Sequence, residues 1–435
     1  MKINTFNAFR SRNYRLFFAG QSISLIGTWM QKTAVSWVVY TLTHSKFMLG
    51  VTMFATMFPS FLFSFLGGIA ADRYNRYKLL LLTQIVSMFQ AVLLTILIFS
   101  NPHSVWGIII LSVLLGIVNA FDVPARQSLV YELVDDKKYL PNALALNSSM
   151  VNLSRLIGPG LAGLIIEKFG DDVCFGLNAL SFIAVIISLL LMKLPAFNPK
   201  KDKINILREL GAGMTYIKKT PEIAFVLGML ALISLFVLPF STLIPAYAKD
   251  IFHGTASTFG VIDSVIGLGA FTGAIFLASL KPGRNLRKIL AYSTLIFGSG
   301  LVLFSHCTVY PLALLFAAIG AFGMMSQITI TNTIIQTTAE ASMRGRVISM
   351  YAMAFFGLQP LGSLIVGFVS QYIGMENTVL IQGIMALIIG AWNFNFLRKY
   401  EKRNKINKPL HAGQAESVIA VELPDHKAAG VQDGY

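Results

Sequence analysis

From residue 15 to residue 397 the chain alternates between long apolar runs and short polar interruptions. A helix needs about 20 apolar residues to cross the roughly 30 Å hydrocarbon layer of a bilayer. Runs of that size predict twelve transmembrane helices, near 15–41, 47–70, 78–100, 105–127, 142–167, 173–193, 222–247, 257–280, 288–306, 309–335, 347–372 and 377–397. The expected fold class is an all-α membrane protein. The longest interruption, 194–221, divides it into an N-terminal six-helix half (1–193) and a C-terminal six-helix half (222–397). A charged, mixed segment, 398–435, follows and reads as a disordered tail.

Charge orients this pattern. Lys and Arg collect in loops on the cytoplasmic side of membrane proteins. With the N-terminus placed inside, thirty of the 35 Lys and Arg residues fall in inner segments. Outer loops hold only Lys46, Lys168 and Lys249, and Lys32 and Arg155 lie within helices. Both termini are therefore expected to be cytoplasmic in a multi-pass protein of a bacterial inner membrane. Lys2, Arg10, Arg12 and Arg15 lead into a first run too long for a cleaved signal peptide. The segment Ile204–Ile217 of the basic linker reads either as an amphipathic helix on the anionic inner leaflet or as a plain topology-setting tether.

Composition closes off other classes. Hydrophobic residues make up 55% and charged residues 13% of the chain, against about 25% charged in soluble proteins. A disordered chain, a coiled coil and a polar-surfaced enzyme are excluded. The net charge of +15 is dispersed between apolar runs, so it forms no nucleic-acid patch. Cys174 and Cys307 are too few for a disulfide framework and read as small apolar fillers. The six His show no metal spacing, and no Walker sequence or paired catalytic carboxylates occur. The G-x-G-x-x-G match at Gly158–Gly163 lies inside a long apolar helix and not after a strand, so it is not read as a nucleotide site. The expectation is a protein that is no enzyme, with no metal and no cofactor.

The halves repeat. Gly68-Ile-Ala-Ala-Asp72-Arg73-Tyr-Asn75-Arg76-Tyr77-Lys78 and Lys281-Pro-Gly283-Arg284-Asn-Leu-Arg287-Lys288 are basic inner turns at matching places, and Gly/Pro clusters mark spans five and eleven. The stretch Gly68–Leu80 resembles the inner-loop motif G-x-x-x-D-R-x-G-R-R/K-x-x-L of the major facilitator superfamily. Asn75 stands in place of its Gly, as a residue able to turn left-handed, and Tyr77 in place of a basic residue. Arg155-Leu-Ile-Gly158-Pro159-Gly160-Leu-Ala-Gly163 is similar to the fifth-helix Gly-Pro motif of exporters in that superfamily. Ser24–Gln31, Trp37–Ser45 and Phe121–Gln127 look like its enterobactin-exporter branch, with macrolide-efflux and lysophospholipid transporters nearby. An arginine that many members carry midway along helix four has no counterpart in Gly116–Asp122.

Several polar residues sit where lipid or protein should surround them. Arg155 lies near mid-bilayer, where an unpaired cation costs several kcal/mol. It shares a helical face with Ser148, Asn152 and Pro159, which either lines a cavity or meets a structural partner. Gln21, Ser24, Thr28 and Gln31 form a similar stripe on helix one. Lys32 beside them either faces the interior or snorkels outward. Asp263 reads as a proton carrier or as a hydrogen-bonded cap near the outer gate, and Asn332 belongs to a polar face of helix ten. Asp122 is placed to pair with Arg73 or Arg76 beside Asp72, as an inner latch between the halves, or to carry protons. Gly158, Pro159, Gly160 and Gly163 allow close packing, bending, or both.

What the resemblance implies is a secondary transporter working by alternating access, with one half rocking against the other. It implies export of a siderophore or an amphipathic drug by proton antiport, with import or flipping of a lysophospholipid-like substrate as the alternative. The expected substrate contacts are Gln21, Thr28, Gln31, Asn152, Arg155 and Asn332. Asp263 is the expected proton site, and Gly158–Gly163 the hinge. The expected partners are the small-molecule cargo, protons and the bilayer, and a monomer suffices.

Overall fold

The computed structural model describes residues 6–101, 103–194, 206–280 and 284–396, and the side chains of 206–210 are not among them. Most of the basic linker's first part (195–205), the repeat turn at 281–283 and the tail from 398 lie outside the described residues.

The apolar runs fold as helices α1 (Arg12–Thr43), α2 (Lys46–Arg73), α3 (Arg76–Ser100), α4 (Val105–Leu133), α5 (Leu140–Phe169) and α6 (Asp171–Leu190). A short helix, α7 (Ile206–Lys219), is followed by α8 (Pro221–Ile251), α9 (Ala256–Ala278), α10 (Leu286–Ser305), α11 (Tyr310–Thr338), α12 (Arg344–Ile373) and α13 (Met375–Phe396). Among the described residues, eleven helices, α2–α6 and α8–α13, are long and apolar enough to cross a membrane. The expected first span, α1, is not one of them. Its 32 residues reach about 48 Å, but Gln21, Gln31, Lys32 and many hydroxyl side chains lower its hydropathy.

The two halves repeat in their turns. His44 after α1 and His253 after α8 both take positive φ, 48° and 46°. Asn75 and Asn285 cap α3 and α10 by accepting from the backbone N–H three residues on, of Lys78 and Lys288. Gly170 and Gly374 join α5 to α6 and α12 to α13 at φ 99° and 84°, where a Cβ would be strained. Asn75 has φ −61°, so it replaces the motif's glycine as an extended N-cap and not as a left-handed turn.

Packing repeats as well. Within the halves α2 packs on α4 as α9 does on α11, α3 on α4 as α10 on α11, and α1 on α5 as α8 on α12. Between them, α5 packs on α9 and α2 on α12, two contacts exchanged by the same repeat. Both rest on small residues. A Cβ at Gly163 would come within 2.6 Å of the Ala256 carbonyl oxygen, and one at Gly50 within 2.5 Å of that of Ser363. These contacts lie toward the end of the bundle that carries the loops at 44–45, 170, 252–255 and 374. We call it the closed end and its opposite the basic end. Along α8, Pro239 and Pro245 remove N–H donors, and its second part runs in 3-10 and π turns. The helix α7 buries Ile217 against α8 and α12, and Tyr216 Oη accepts from the Glu340 N–H at 3.2 Å, so it is docked on the second half.

Candidate substrate site and gate

Midway along the bundle, three charges converge from three helices. Lys32 on α1 and Arg155 on α5 both lie over the Trp29 ring, with Nζ 4.8 Å and Cζ 5.7 Å from its centroid, a cation–π arrangement that partly replaces lost water. Asp263 on α9 accepts from Thr33 Oγ1 at 3.5 Å. It lies within electrostatic range of both cations, yet neither is among the ion pairs shorter than 4.0 Å found in the described residues. Lys32 is solvent-exposed in mid-helix, and Arg155 and Asp263 are half-buried. The cluster therefore keeps some accessible surface. The inward-facing alternative for Lys32 is the observed one, and snorkelling is not.

One turn and two turns further along the same face of α1, the halves touch. Trp37 stacks on Phe259 of α9 at 6.2 Å, with Lys249 Nζ 5.7 Å from the Trp37 centroid. Tyr40 donates its hydroxyl hydrogen to Asp250. Gln371 Nε2 donates to Ser45 Oγ at 2.8 Å, and Thr255 Oγ1 to Glu167 Oε2 at 2.9 Å. Thr33, Trp37 and Tyr40 follow helical spacing i, i+4, i+7, a pattern present in the sequence but masked there by the stronger polar stripe on the opposite face. Tyr40, Asp250, Trp37 and Glu167 were not among the expected site residues.

That polar stripe turns away from the cavity. Gln31 donates to Gln90 Oε1 at 3.1 Å and accepts from Asn178 Nδ2 at 2.6 Å. Gln21 and Gln31 are each 2% exposed. In this conformation Gln31 is thus held in a hydrogen-bond network inside the first half, whereas Gln21 is buried with its Oε1 lacking a hydrogen-bond partner among the described residues. Thr28, Asn152 and Asn332 keep half-buried side chains that bond within their own helices, to Ser24, Ser148 and Gln336. The expected hinge is a contact surface in this conformation: Gly158 lies against Trp29, Gly160 near Ser264 and Gly163 on Ala256, with α5 continuous through Pro159.

The expected inner latch is likewise rearranged. Asp122 pairs with Arg126 at 3.4 Å and accepts from Thr83 at 2.9 Å and Gln84 at 2.6 Å. Arg76 meets Glu132 at 2.5 Å and Asp72 at 3.8 Å, and Arg73 stays exposed. All these residues belong to α2, α3 and α4 of one half, so in this conformation their bonds brace that half. The one-turn spacing of Arg126 after Asp122 was the signal for this pair. In the second half Glu222 pairs with Arg287.

Comparison with known proteins bears on the whole architecture. A family model described as transmembrane secretion effector, within the major facilitator clan, matches residues 3–424. The staphyloferrin A transporter of Staphylococcus aureus is 27% identical over 86% of this chain and 94% of its own. The enterobactin exporter of Escherichia coli is 26% identical over 87% and 90%. Macrolide efflux protein A of Streptococcus pyogenes is 21% identical over 88% and 95%. Among solved structures, a bacterial homolog of the human lysosomal transporter Spinster, inward-facing and unoccupied, superposes with a TM-score of 0.70 at 15% identity, covering 91% of this chain and 98% of that one. A peptide-transporter-type (POT family) structure with 5-aminolevulinic acid gives 0.71 at 15% identity, covering 89% and 96%. These two likenesses speak for the fold.

Proposed function

The chain belongs to the transmembrane secretion effector family of the major facilitator superfamily, and from that premise we propose that it carries a small organic molecule with an acidic group, held at Lys32, Arg155 and Trp29. Membership makes it a multi-span secondary transporter of a small molecule. The observation that carries the finer reading is the charge cluster itself: cations of one half and a carboxylate of the other meet at mid-depth, with some surface left accessible and the halves in contact beyond. Such a midplane site between repeated halves is what alternating access requires.

In this reading α1 is the twelfth span, long enough to cross and packed among α5 and α6, and the halves are 1–193 and 222–397. The basic end faces the cytoplasm of a bacterial inner membrane, supported by its Lys and Arg. The conformation described is then inward-open. Thr28, Asn152 and Asn332 belong to the cavity wall, and Gly158–Gly163 serve as the sliding surface on which the halves rock. One chain holds both halves, so a monomer is the working unit.

Two directions follow from two kinds of support. Export of a siderophore is supported by the family's description and by the names of two relatives. Uptake or flipping of a lysophospholipid-like molecule has physical support: the cluster carries net positive charge, suited to an acidic head group. A basic drug fits that charge less well. The test is flux in proteoliposomes with iron-free hydroxycarboxylate and catecholate siderophores, a lysophosphatidic acid and a macrolide. We expect an acidic cargo to move and Arg155→Ala to abolish the movement. Flux of the macrolide alone, or of any cargo equally well in Arg155→Ala, overturns the reading.

A further inference from the structure

We propose that Lys32 and Arg155 receive an anionic cargo while Asp263 takes up a proton, so that an acidic cargo and a proton travel together through this protein. The inference deepens the transport reading above and rests on it, and it fixes the sign of the coupling.

Charge counting is the starting point. Two cations face one carboxylate, and none of them is in ion-pair contact. With Asp263 ionised the cluster keeps one net positive charge. A negative charge arriving from the cargo is drawn by the two cations but repelled by Asp263. Protonation of Asp263 removes that repulsion. A proton therefore strengthens anion binding, and by linkage an anion strengthens proton binding to the same degree. Ligands that help each other bind are carried in the same direction. Antiport needs the opposite, a cargo that competes with the proton, and only a cationic cargo seeking Asp263 would do so here.

The surroundings of Asp263 leave this role to the three charges. From α1 it faces Lys32 and Thr33, and from α5 it faces Arg155. The titratable side chain of α11, Tyr310, donates to the Thr258 carbonyl nearer the closed end. At the end of α8, Tyr247 donates to the Ser305 carbonyl, Lys249 lies over Trp37, and Asp250 holds Tyr40. Glu167 accepts from Thr255. Each of these is engaged closer to the closed end than Asp263.

The geometry also ties coupling to movement. Asp263 belongs to the second half, whereas Lys32, Thr33 and Arg155 belong to the first. When cargo replaces Asp263 as the partner of the cations, an attraction across the halves is lost just below the gate.

The test uses the full chain in lipid nanodiscs and benzenedisulfonate, a dianion whose own charge does not change with pH. Calorimetry should show binding about tenfold tighter at about pH 5 than at about pH 8, the effect of a difference of about one unit in the Asp263 pKa between bound and free protein. Asp263→Asn should bind at the acidic strength at both pH values. Lys32→Gln and Arg155→Gln should lose about tenfold or more, and Arg155→Lys should recover part of that loss, which separates charge from misfolding. Weaker binding on acidification, an unchanged pH slope in Asp263→Asn, or no binding by folded protein overturns the inference. Failure of the transport reading is seen separately: Ser45→Cys with Gln371→Cys, in a Cys174→Ser, Cys307→Ser background, would cross-link to the same extent with every cargo.

Discussion

The two ends of the bundle are held by different kinds of contact. At the basic end the strong polar bonds, Asp122 with Arg126, Arg76 with Glu132 and Arg287 with Glu222, each lie inside one half. At the closed end Tyr40–Asp250, Ser45–Gln371 and Glu167–Thr255 cross from half to half, helped by glycines that let backbones touch. Bonds that persist while the halves move can be buried and strong. Bonds that break in every cycle need to be few, exposed or backed by packing that separates without leaving charges unpaired. The difference assigns stability to one end and exchange to the other.

Substitutions can break this contrast, and the largest effect is expected inside a half. Asp122 is 6% exposed, and Asp122→Ala leaves Arg126 without its partner, a loss of about 3–5 kcal/mol in stability. The unfolding midpoint in detergent should fall clearly, with the cross-link between Ser45→Cys and Gln371→Cys little changed in protein that remains folded. A next, smaller effect is expected at the interface. Gly163→Leu places side-chain atoms where Ala256 sits and should disfavour the closed end by about 1–3 kcal/mol. Its cross-link yield should drop with only a modest change in melting. Tyr40→Phe removes one hydrogen bond to an exposed carboxylate, worth about 1 kcal/mol, and should shift the same readout less. Arg73→Ala sits at the bottom of the series. The side chain is exposed, so stability should stay within about 0.5 kcal/mol and the cross-link should not move. If Arg73→Ala instead opened the closed end, the division between bracing and exchanging contacts would fail.

Legibility in the sequence followed the range of the physics. Helix positions were readable because each span has to satisfy the bilayer by itself, and the turns were readable because Asn75, Gly170 and their repeats act on neighbouring residues. The mid-depth charges Arg155 and Asp263 stood out because lipid penalises them wherever they point. Their partners did not. Gln31 and Lys32 are adjacent in sequence, and periodicity alone does not say which of two polar faces meets Gln90 and Asn178 and which meets the cavity. The partners of Asp122 and Arg76 in this conformation were hidden for the same reason, since nearness to a basic loop does not distinguish a partner one helical turn away from one on a neighbouring helix.

The sequence by itself determined an all-α membrane chain with repeated halves, the helices and turns that build it, and the presence of costly charges at mid-depth. Those follow from transfer of each segment between water and lipid, a cost paid locally. Only the tertiary structure decided that Lys32 joins Arg155 over Trp29 within range of Asp263, that Gln31 of α1 serves the first half's interior, and that the halves meet through α5 with α9 and α2 with α12. Those depend on the rotation of each helix about its axis, and that angle is set by the packing of all its neighbours at once.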